Sequence, residues 1–295
     1  MLTGAPIIKG KSMWLVVDSG STKTDWVLIN NEGVQTQTHT MGFNPYFHSP
    51  EKIYSELTKK EFTTLIPVND VRHIFYYGAG CPNESYRSII NDGLTRVFPN
   101  AKIEVQHDLL GAARATCGRE PGICGIMGTG SNSCLYDGQN ITDNVTALAH
   151  VLGDEGGGVQ LGRLLLQAYF YRELPEDLES EFDKAYPEGK DAIIQRIYGE
   201  GQNVHIASFA EFLIQHKTHP AARRLIDQAF REFATRHLKK YKNWQNLEIN
   251  LVGSIAGLLT EELRAVLSEE GLKLGKVIRK PIERLVEYHV SDIRL

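Results

Sequence analysis

Two short apolar runs near the start of the chain flank a segment of small polar residues. Residues 14–17 (WLVV) and 26–29 (WVLI) are apolar, and residues 18–25 between them read DSGSTKTD. Strand, small polar turn and strand predict a β-hairpin whose tip carries glycine, hydroxyls and one lysine. Such a tip can offer backbone N–H groups to an anion, and Asp18 at its entrance could face a hydrated cation. An ordinary hydrophilic turn is the alternative that this stretch alone favours.

The segment that follows alternates between helix and strand patterns. In order, it predicts a helix from Ser49-Pro50, a strand over 71–77, a helix over 84–98, a strand over 103–106 and a helix over 109–117. Ser49 is a plausible N-cap with proline at the first helical position. The first strand runs into Gly78-Ala-Gly80 and the second ends in His107-Asp108. A hairpin followed by alternating strands and helices predicts an α/β domain of about a hundred residues.

A second unit opens at Gly122 with a similar hairpin. Residues 122–127 form an apolar strand, residues 128–133 (GTGSNS) a turn and residues 134–136 the returning strand. Gly130-Ser131 falls on Gly20-Ser21 when the two hairpins are overlaid, which makes a weak internal repeat. Two similar halves that face each other across a cleft are the natural geometry for such a repeat.

The remainder of the second unit is predicted to be mainly helical. The expected elements are helices over 159–171, 179–198 (interrupted by Pro187), 206–215 and 221–241, a strand over 247–252 ending in Gly253-Ser254, a helix around 259–267, a strand at 277–278 and a terminal helix over 281–288. Ile226, Phe230 and Phe233 recur at helical spacing and predict a buried helix face.

Composition excludes several classes of protein. The 295 residues are 42% hydrophobic and 23% charged, with a formal net charge of −4, which argues against nucleic-acid binding. No window approaches the roughly 18 apolar residues of a membrane span. Residues 1–12 lack the apolar core of a signal peptide, and Met13 is an alternative start. The cysteines, Cys81, Cys117, Cys124 and Cys134, form no C-x-x-C pair, so a reduced, cytoplasmic protein is the simplest interpretation.

Three glycine and hydroxyl turns, at residues 18–24, 128–133 and 253–254, each end an apolar strand. None has the Walker or the dinucleotide-fold pattern. In this order they resemble the phosphate-1, phosphate-2 and adenosine motifs of the actin, sugar kinase and Hsp70-type ATPase superfamily. The closest resemblance is to the N-acetylglucosamine kinase branch, grouped with the BadF/BadG/BcrA/BcrD-type ATPases. The matching stretches are Asp18-Ser-Gly-Ser-Thr22, Asn44 after Gly42, Asp108, Gly128-Thr-Gly-Ser-Asn132, Gly153-Asp-Glu-Gly156 and Val252-Gly-Ser254.

The resemblance implies two ribonuclease-H-like α/β domains facing across a nucleotide and substrate cleft. Their expected limits are 1–115, joined by the C-terminal helix 281–295, and 116–280. It implies phosphoryl transfer from ATP to a hydroxyl of an amino sugar, N-acetylglucosamine first, with N-acetylmuramic acid or glucosamine as alternatives, in amino-sugar salvage. The implied ATP contacts are Gly20, Ser21, Thr22, Lys23, Gly128, Thr129, Gly130, Ser131, Asn132, Gly253 and Ser254. Asp18 is the expected Mg²⁺ residue, acting through water.

Asp108 is the expected catalytic base. It closes a strand, where α/β proteins present side chains to a cleft, and a carboxylate there can accept the proton of an attacking sugar hydroxyl. N-capping of the helix over 109–117 is the alternative, and the residues alone balance the two evenly. The resemblance to the family favours the base.

Asn44 and Asp154 are the expected sugar ligands, with Ala149 and His150 nearby. An Asx turn competes for Asn44, and N-capping of the next helix competes for Asp154. Glu155 is expected to serve the loop rather than the chemistry, and Lys23 to be solvated. Where the family carries a Gly-Gly-x-Gly-like loop, this chain reads TALAH over 146–150, so the pocket shape should differ.

Two other functions compete with the kinase. A related ATPase that activates a dehydratase or reductase would need a cysteine-held iron–sulfur cluster at a dimer interface, and the cysteine spacing shows no convincing cluster pattern. A non-catalytic sugar or nucleotide sensor is the other, although no helix-turn-helix accompanies the core. The expected partner is a small-molecule sugar, without nucleic acid or membrane; a homodimer stays open.

Overall fold

The computed structural model describes residues 13–20, 22–30 and 32–293, except for the side chains of residue 35 and of residues 291–293. Ser21, one of the expected ATP contacts, lies outside the described residues. The chain divides into two compact units. Unit 1 comprises the described residues of Met1–Gly111 and Pro281–Leu295, and unit 2 is Ala112–Lys280. The domain limits expected from the sequence stay a prediction.

Unit 1 is built on a mixed five-stranded sheet. Its strands are β1 (Met13–Ser19), β2 (Lys23–Asn30), β3 (Gly33–Met41), β4 (Val71–Gly78) and β5 (Lys102–His107). They lie in the order β3-β2-β1-β4-β5, with β1, β2 and β3 antiparallel and β4 and β5 parallel to β1. The three-stranded meander and the parallel strands therefore share β1 as their centre.

The helices of this part of the chain follow the local signals. They are α1 (Pro50–Leu57), α2 (Lys60–Leu65), α3 (Glu84–Val97) and α4 (Asp108–Cys117). Ser49 caps α1 by accepting the Lys52 N–H, and Pro50 is its first residue. Asn83 caps α3 in the same way.

Trp26 is the centre of the unit 1 core. Its ring is fully buried and makes edge contacts with Phe62 (centroids 5.1 Å apart), Phe43 (6.4 Å) and Tyr76 (6.4 Å). Its indole N–H donates to Thr40 Oγ1 at 3.0 Å, which satisfies the polar group of the ring. The apolar face of the sheet thus packs around one side chain of β2.

Unit 2 repeats the same sheet. Its strands are β6 (Gly122–Met127), β7 (Ser131–Tyr136), β8 (Ile141–Asp143), β9 (Glu248–Val252) and β10 (Lys273–Ile278). The order is β8-β7-β6-β9-β10, with β6, β7 and β8 antiparallel and β9 and β10 parallel to β6. The hairpin similarity seen in the sequence therefore marks the same place in two sheets of one topology.

The helices of unit 2 lie mostly between β8 and β9. They are α5 (Ala149–Leu152), α6 (Gly158–Phe170), α7 (Glu176–Ala185), α8 (Gly189–Ile197), α9 (Gln202–Ser208), α10 (Ala210–Gln215), α11 (Pro220–Arg236), α12 (Ser254–Leu258) and α13 (Thr260–Glu269), with 3₁₀ turns at Leu238–Lys240 and Trp244–Asn246. Their buried phenylalanines form much of the core: Phe182, Phe209, Phe212, Phe230 and Phe233.

The last helix, α14 (Ile282–Ile293), belongs to unit 1 and packs on β1 and β2. Ile282, Leu285 and Val286 are buried at helical spacing. His289 stacks on Phe75 with centroids 3.8 Å apart, and its Nε2 lies 2.8 Å from the Tyr77 hydroxyl.

Both units are mixed α/β structures, and the fold class expected from the sequence is confirmed.

Candidate functional site

The first hairpin is longer and tighter than the sequence suggested. Asp18 pairs with Asp25 and Ser19 with Thr24 in the β1–β2 ladder, so these four residues belong to the strands and not to the tip. The Gly20 N–H donates to the Lys23 carbonyl at 2.9 Å. Because extended strands continue to the tip, the two aspartates are held by the sheet rather than by a loop.

Lys23 contacts a carboxylate within the hairpin. Its Nζ lies 2.6 Å from Asp25 Oδ1, and its side chain is 46% exposed. Lys23 is therefore partly solvated, as expected, but its ammonium group also pairs with the Asp25 carboxylate.

Asp18 lies where the protein disfavours a negative charge. Burial, followed by the nearby charges of Asp108 and Asp25, raises the pKa of its carboxyl to about 7. A cation beside it would relieve this repulsion, so the residue fits the expected Mg²⁺ role. Among the described residues no three metal-ligating side chains are grouped closely enough to hold an ion. Water and phosphate oxygens would therefore supply ligands, as Mg²⁺ usually requires.

Asp108 is the first residue of α4, directly after β5. Its Oδ1 lies 2.8 Å from His107 Nδ1, and the Leu109 N–H donates to the same ring nitrogen at 3.1 Å. The same nitrogen accepts the Leu109 N–H when unprotonated or donates to Asp108 when protonated, never both at once. Among the described residues no N–H of α4 donates to the Asp108 carboxylate, which disfavours the N-cap interpretation of Asp108. The Asp108 side chain is 25% exposed and can meet a ligand. His107 was not singled out in the sequence, although its position just before Asp108 was a usable signal.

Asn44 forms the Asx turn that was its alternative interpretation. Its Oδ1 accepts the Tyr46 N–H at 3.0 Å, and its backbone N–H donates to His48 Nδ1 at 3.1 Å. A Cβ at Gly80 would lie 2.5 Å from the same Oδ1, so the glycine turn after β4 leaves room for this side chain. The turn fixes the Asn44 side chain through its oxygen and leaves the amide donors for the expected sugar role.

The second turn, residues 128–130, is closed by its own backbone and by a distant carboxylate. The Gly128 N–H donates to the Gly130 carbonyl at 3.0 Å, and the Ser131 N–H donates to Asp154 Oδ1 at 3.1 Å. Asp154 therefore occupies the Ser131 N–H, and the expected contact of Ser131 with ATP stays a prediction for its hydroxyl. Ser131 Oγ is buried and has no hydrogen-bond partner among the described residues, and Thr129 is exposed. An unsatisfied hydroxyl beside a glycine turn fits a phosphate oxygen.

The segment 153–158 packs directly on this turn. Gly158 and Val159 donate their N–H groups to the carbonyls of Gly128 (2.8 Å) and Thr129 (2.9 Å). Asp154 has a φ of +62° and is 8% exposed, and α6 has Gly157 as its N-cap. N-capping by the Asp154 side chain is therefore wrong. Burial raises the pKa of Asp154 above its ordinary value, although the Ser131 N–H opposes this shift.

The third turn meets the second one through Gly253. This residue has a φ of +127°, and a Cβ there would overlap the Met127 carbonyl. Ser254 begins α12 and is exposed. Unit 2 thus brings together residues 128–131, 153–158 and 253–254, which lie far apart in the sequence.

Asn132 and the loop over 146–150 contact neighbouring parts of unit 2. Asn132 Oδ1 accepts the Ser133 N–H at 2.8 Å and an Asn144 amide N–H at 3.0 Å, so this oxygen serves β7. Ala149 has a φ of +55°, and the His150 carbonyl accepts from Arg163 at 3.3 Å. The neighbouring apolar side chains are exposed: Leu148 (53%), Val151 (70%) and Leu152 (70%).

Comparison with known proteins adds to this geometry. The family model described as the BadF/BadG/BcrA/BcrD ATPase family matches residues 15–286. The chain belongs to this family. The resemblance stated from the sequence is confirmed, and ATP use follows from the family. No curated protein matches the chain.

Solved structures support the same fold. A protein of Porphyromonas gingivalis, provisionally described as an N-acetylglucosamine kinase, is 37% identical over 95% of this chain and 99% of its own, with a TM-score of 0.89. One of Chromobacterium violaceum, described likewise, is 18% identical over 94% of this chain and 99% of its own, with a TM-score of 0.74. A glucokinase of the ROK family from Streptomyces griseus, in complex with glucose and AMPPNP, is 13% identical over 96% of this chain and 99% of its own (TM-score 0.55).

These relatives agree with the expected class of enzyme, an ATP-dependent sugar kinase. No helix in the described part of the chain is both long and apolar enough to cross a bilayer.

Proposed function

We propose that this protein is an ATP-dependent kinase that phosphorylates a hydroxyl of an amino sugar, N-acetylglucosamine first, with N-acetylmuramic acid and glucosamine as alternatives. The observation that carries the proposal is the position of the Asp108 carboxylate. It is partly exposed at the end of β5, and among the described residues it accepts no hydrogen bond from an N–H group of α4. The Porphyromonas relative, similar over nearly its whole length, supports the choice of sugar.

The proposed chemistry transfers the γ-phosphoryl group of ATP to the sugar oxygen. Asp108 accepts the hydroxyl proton as that oxygen attacks phosphorus, and ADP leaves. Mg²⁺ bound with ATP would neutralise phosphate charge, with Asp18 contacting it through water. Thr129 and Ser131 Oγ are the groups of unit 2 proposed to contact phosphate oxygens.

The proposed sugar ligands are Asn44 and Asp154. Asn44 would donate from its side-chain amide, and Asp154 would accept through the carboxylate oxygen that does not bind the Ser131 N–H. Hydroxyl and acetamido groups need paired donors and acceptors, which these side chains provide. The loop over 146–150 and its exposed Leu148 are proposed to shape the sugar pocket.

The competing iron–sulfur ATPase is disfavoured by the placement of the thiols. Cys81, Cys117, Cys124 and Cys134 are all buried within their units, whereas a cluster shared at a dimer interface needs accessible cysteines.

A panel of hexosamines, with glucose as the control, tests the proposal through sugar-dependent ADP formation. N-acetylglucosamine is expected to give the highest kcat/KM. A panel without turnover would contradict the kinase and favour the sensor.

Asp108→Asn is expected to lower kcat by at least about a hundredfold, because the amide cannot accept the proton, while ATP affinity changes little. Asp92→Asn, an exposed residue of α3 in the same unit, is the matched control. Coupled-assay kinetics and nucleotide titration measure the two quantities. Near-normal turnover of Asp108→Asn would eliminate its role as base.

A further inference from the structure

A cluster of charged and polar side chains, buried except for the 56% exposed Arg236, lies behind the segment that carries Asp154. Glu155 Oε2 is 3.1 Å from His237 Nε2, and Glu155 Oε1 is 2.9 Å from an Arg236 guanidinium nitrogen. Glu155 and His237 are only 5% and 4% exposed. The cluster joins residues 153–158 to the C-terminal end of α11, some eighty residues later.

The backbone of this segment needs such support. Asp154 (φ +62°) and Gly156 (φ +74°) both adopt left-handed conformations, which strain the backbone of the non-glycine residue Asp154. A second set of bonds holds the same place, from the Gly156 N–H to Gln160 Oε1 (2.6 Å) and from Gln160 Nε2 to Glu232 Oε2 (2.9 Å). Glu155 and Gln160 therefore both bind side chains at the C-terminal end of α11.

The two ring nitrogens of His237 lie in different surroundings. Its Nδ1 is buried without a hydrogen-bond partner among the described residues, while its Nε2 faces Glu155. A proton on Nδ1 would be a buried unsatisfied donor, whereas a proton on Nε2 has the Glu155 carboxylate as its acceptor. His237 thus acts as a single directed donor to Glu155, and its ring stacks on Phe233 with centroids 5.3 Å apart.

Stability alone does not explain a buried cluster of this kind, because apolar side chains of equal volume often stabilise a fold as well or better. What the cluster provides is geometry, since Glu155 immediately follows Asp154, and Asp154 binds the Ser131 N–H at 3.1 Å.

We infer that Glu155, His237 and Arg236 are positioning residues that hold Asp154 against the Ser131 N–H, so that segment 153–158 and the turn over 128–131 move as one rigid body. The kinetic consequence rests on the proposed function, in which Asp154 binds the sugar and the turn binds phosphate. Displacing the cluster would then loosen both ligand contacts at once, although neither Glu155 nor His237 touches a ligand.

Hydrogen exchange tests the rigid body without any assay of function. His237→Leu keeps an apolar side chain against Phe233 but removes the donor, whereas His237→Gln places an amide N–H near the former Nε2. Peptides covering 128–133 and 153–158 are expected to exchange about tenfold faster in His237→Leu and near the wild-type rate in His237→Gln. Thr235→Ala, on the exposed face of α11, is the matched control. Equal protection of both segments in wild type and His237→Leu would overturn the inference.

Steady-state kinetics with the sugar found in the hexosamine panel provide the second measurement. His237→Leu is expected to lower kcat/KM for the sugar about tenfold or more, with recovery in His237→Gln to within about threefold of wild type. Unchanged kinetics in His237→Leu, despite faster exchange, would overturn the positioning role. A wild-type enzyme that phosphorylates no sugar would contradict the proposed function only, and the exchange experiment would still decide the rigid body.

Discussion

The charge state of Asp18 depends strongly on the fold. Its pKa rises to about 7, against about 3.8 in the unfolded chain, mainly because of burial and then because of Asp108 and Asp25. Native protein therefore binds one proton more than unfolded protein between these values, and the favourable contribution of the neutral carboxyl is lost as pH rises through about 7.

Asp18→Asn mimics the neutral carboxyl at every pH. Without divalent cation, we expect the stability advantage of the variant over wild type to grow by about 1–2 kcal/mol between pH 5 and pH 8, because native Asp18 is protonated at pH 5 and ionised at pH 8, the partly exposed side chain limiting the effect. Urea unfolding in chelator at both pH values measures this difference, with Asp92→Asn as control. A constant difference between pH 5 and pH 8 would refute the raised pKa.

Gly130 has no room for a side chain. A Cβ there would lie 2.5 Å from Asp154 Oδ1 and 2.9 Å from its Cγ, whereas a Cβ at Gly128 meets nothing within 4 Å. We expect Gly130→Ala to lower the free energy of unfolding by about 1–3 kcal/mol, and Gly128→Ala to change it little. Unfolding of the ligand-free variants measures both values, and equal effects would show that the turn adapts.

Single residues at strand ends were predictable, whereas their partners were not. Asp108 could be found because an apolar strand pattern stops at it. The Asp154 contact to Ser131 and the Glu155 contact to His237 depend on loops brought together by tertiary packing, which no local pattern encodes. The Asx turn of Asn44 was foreseeable, since it needs only the next two residues.

At the scale of elements, segments with a strong apolar period were predicted well, whereas the polar edge strand β3 and one helix end were predicted poorly. The helix begun at Ser49-Pro50 was confirmed, but β3 was not predicted, because its sequence (GVQTQTHTM) has almost no apolar alternation. The helix expected over 221–241 ends at Arg236, and the next residue, His237, is held by Glu155. Tertiary contacts therefore set the boundary there.

Helix α14 stabilises unit 1 through one apolar stripe. Leu285 is fully buried, while Glu283, two residues earlier, is exposed. We expect Leu285→Ala to reduce the free energy of unfolding by about 2–4 kcal/mol, and Glu283→Ala to stay within about 0.5 kcal/mol. Chemical denaturation measures both, and a small loss for Leu285→Ala would mean that α14 contributes little to unit 1.

At the scale of the whole molecule, one sheet topology occurs twice with different additions. Unit 1 carries the hairpin aspartates and Asp108, whereas unit 2 carries a long helical segment between β8 and β9. The duplication was visible in the sequence only as two glycine and hydroxyl turns, because the remaining strands share no residues that would identify them as repeats.

Ligand binding can be followed through the stability of the complete protein. N-acetylglucosamine with a non-hydrolysable ATP analogue, each at about a hundred times its Kd, should stabilise the native state by about 5 kcal/mol in total. Thermal unfolding measures the shift, with glucose in place of the amino sugar as control. An equal shift with glucose would contradict the preference for an amino sugar.

The position of α14 in the chain has a consequence for biosynthesis. Unit 1 needs residues 282–293 to cover β1 and β2, yet the ribosome must first make all of unit 2, which at about 5–20 residues per second takes on the order of tens of seconds. During that time the nascent N-terminal unit exposes the surface that Leu285 and Val286 later bury. The later half of the polypeptide can therefore finish folding first, and translation that stops within it would leave an apolar surface for chaperones or for aggregation.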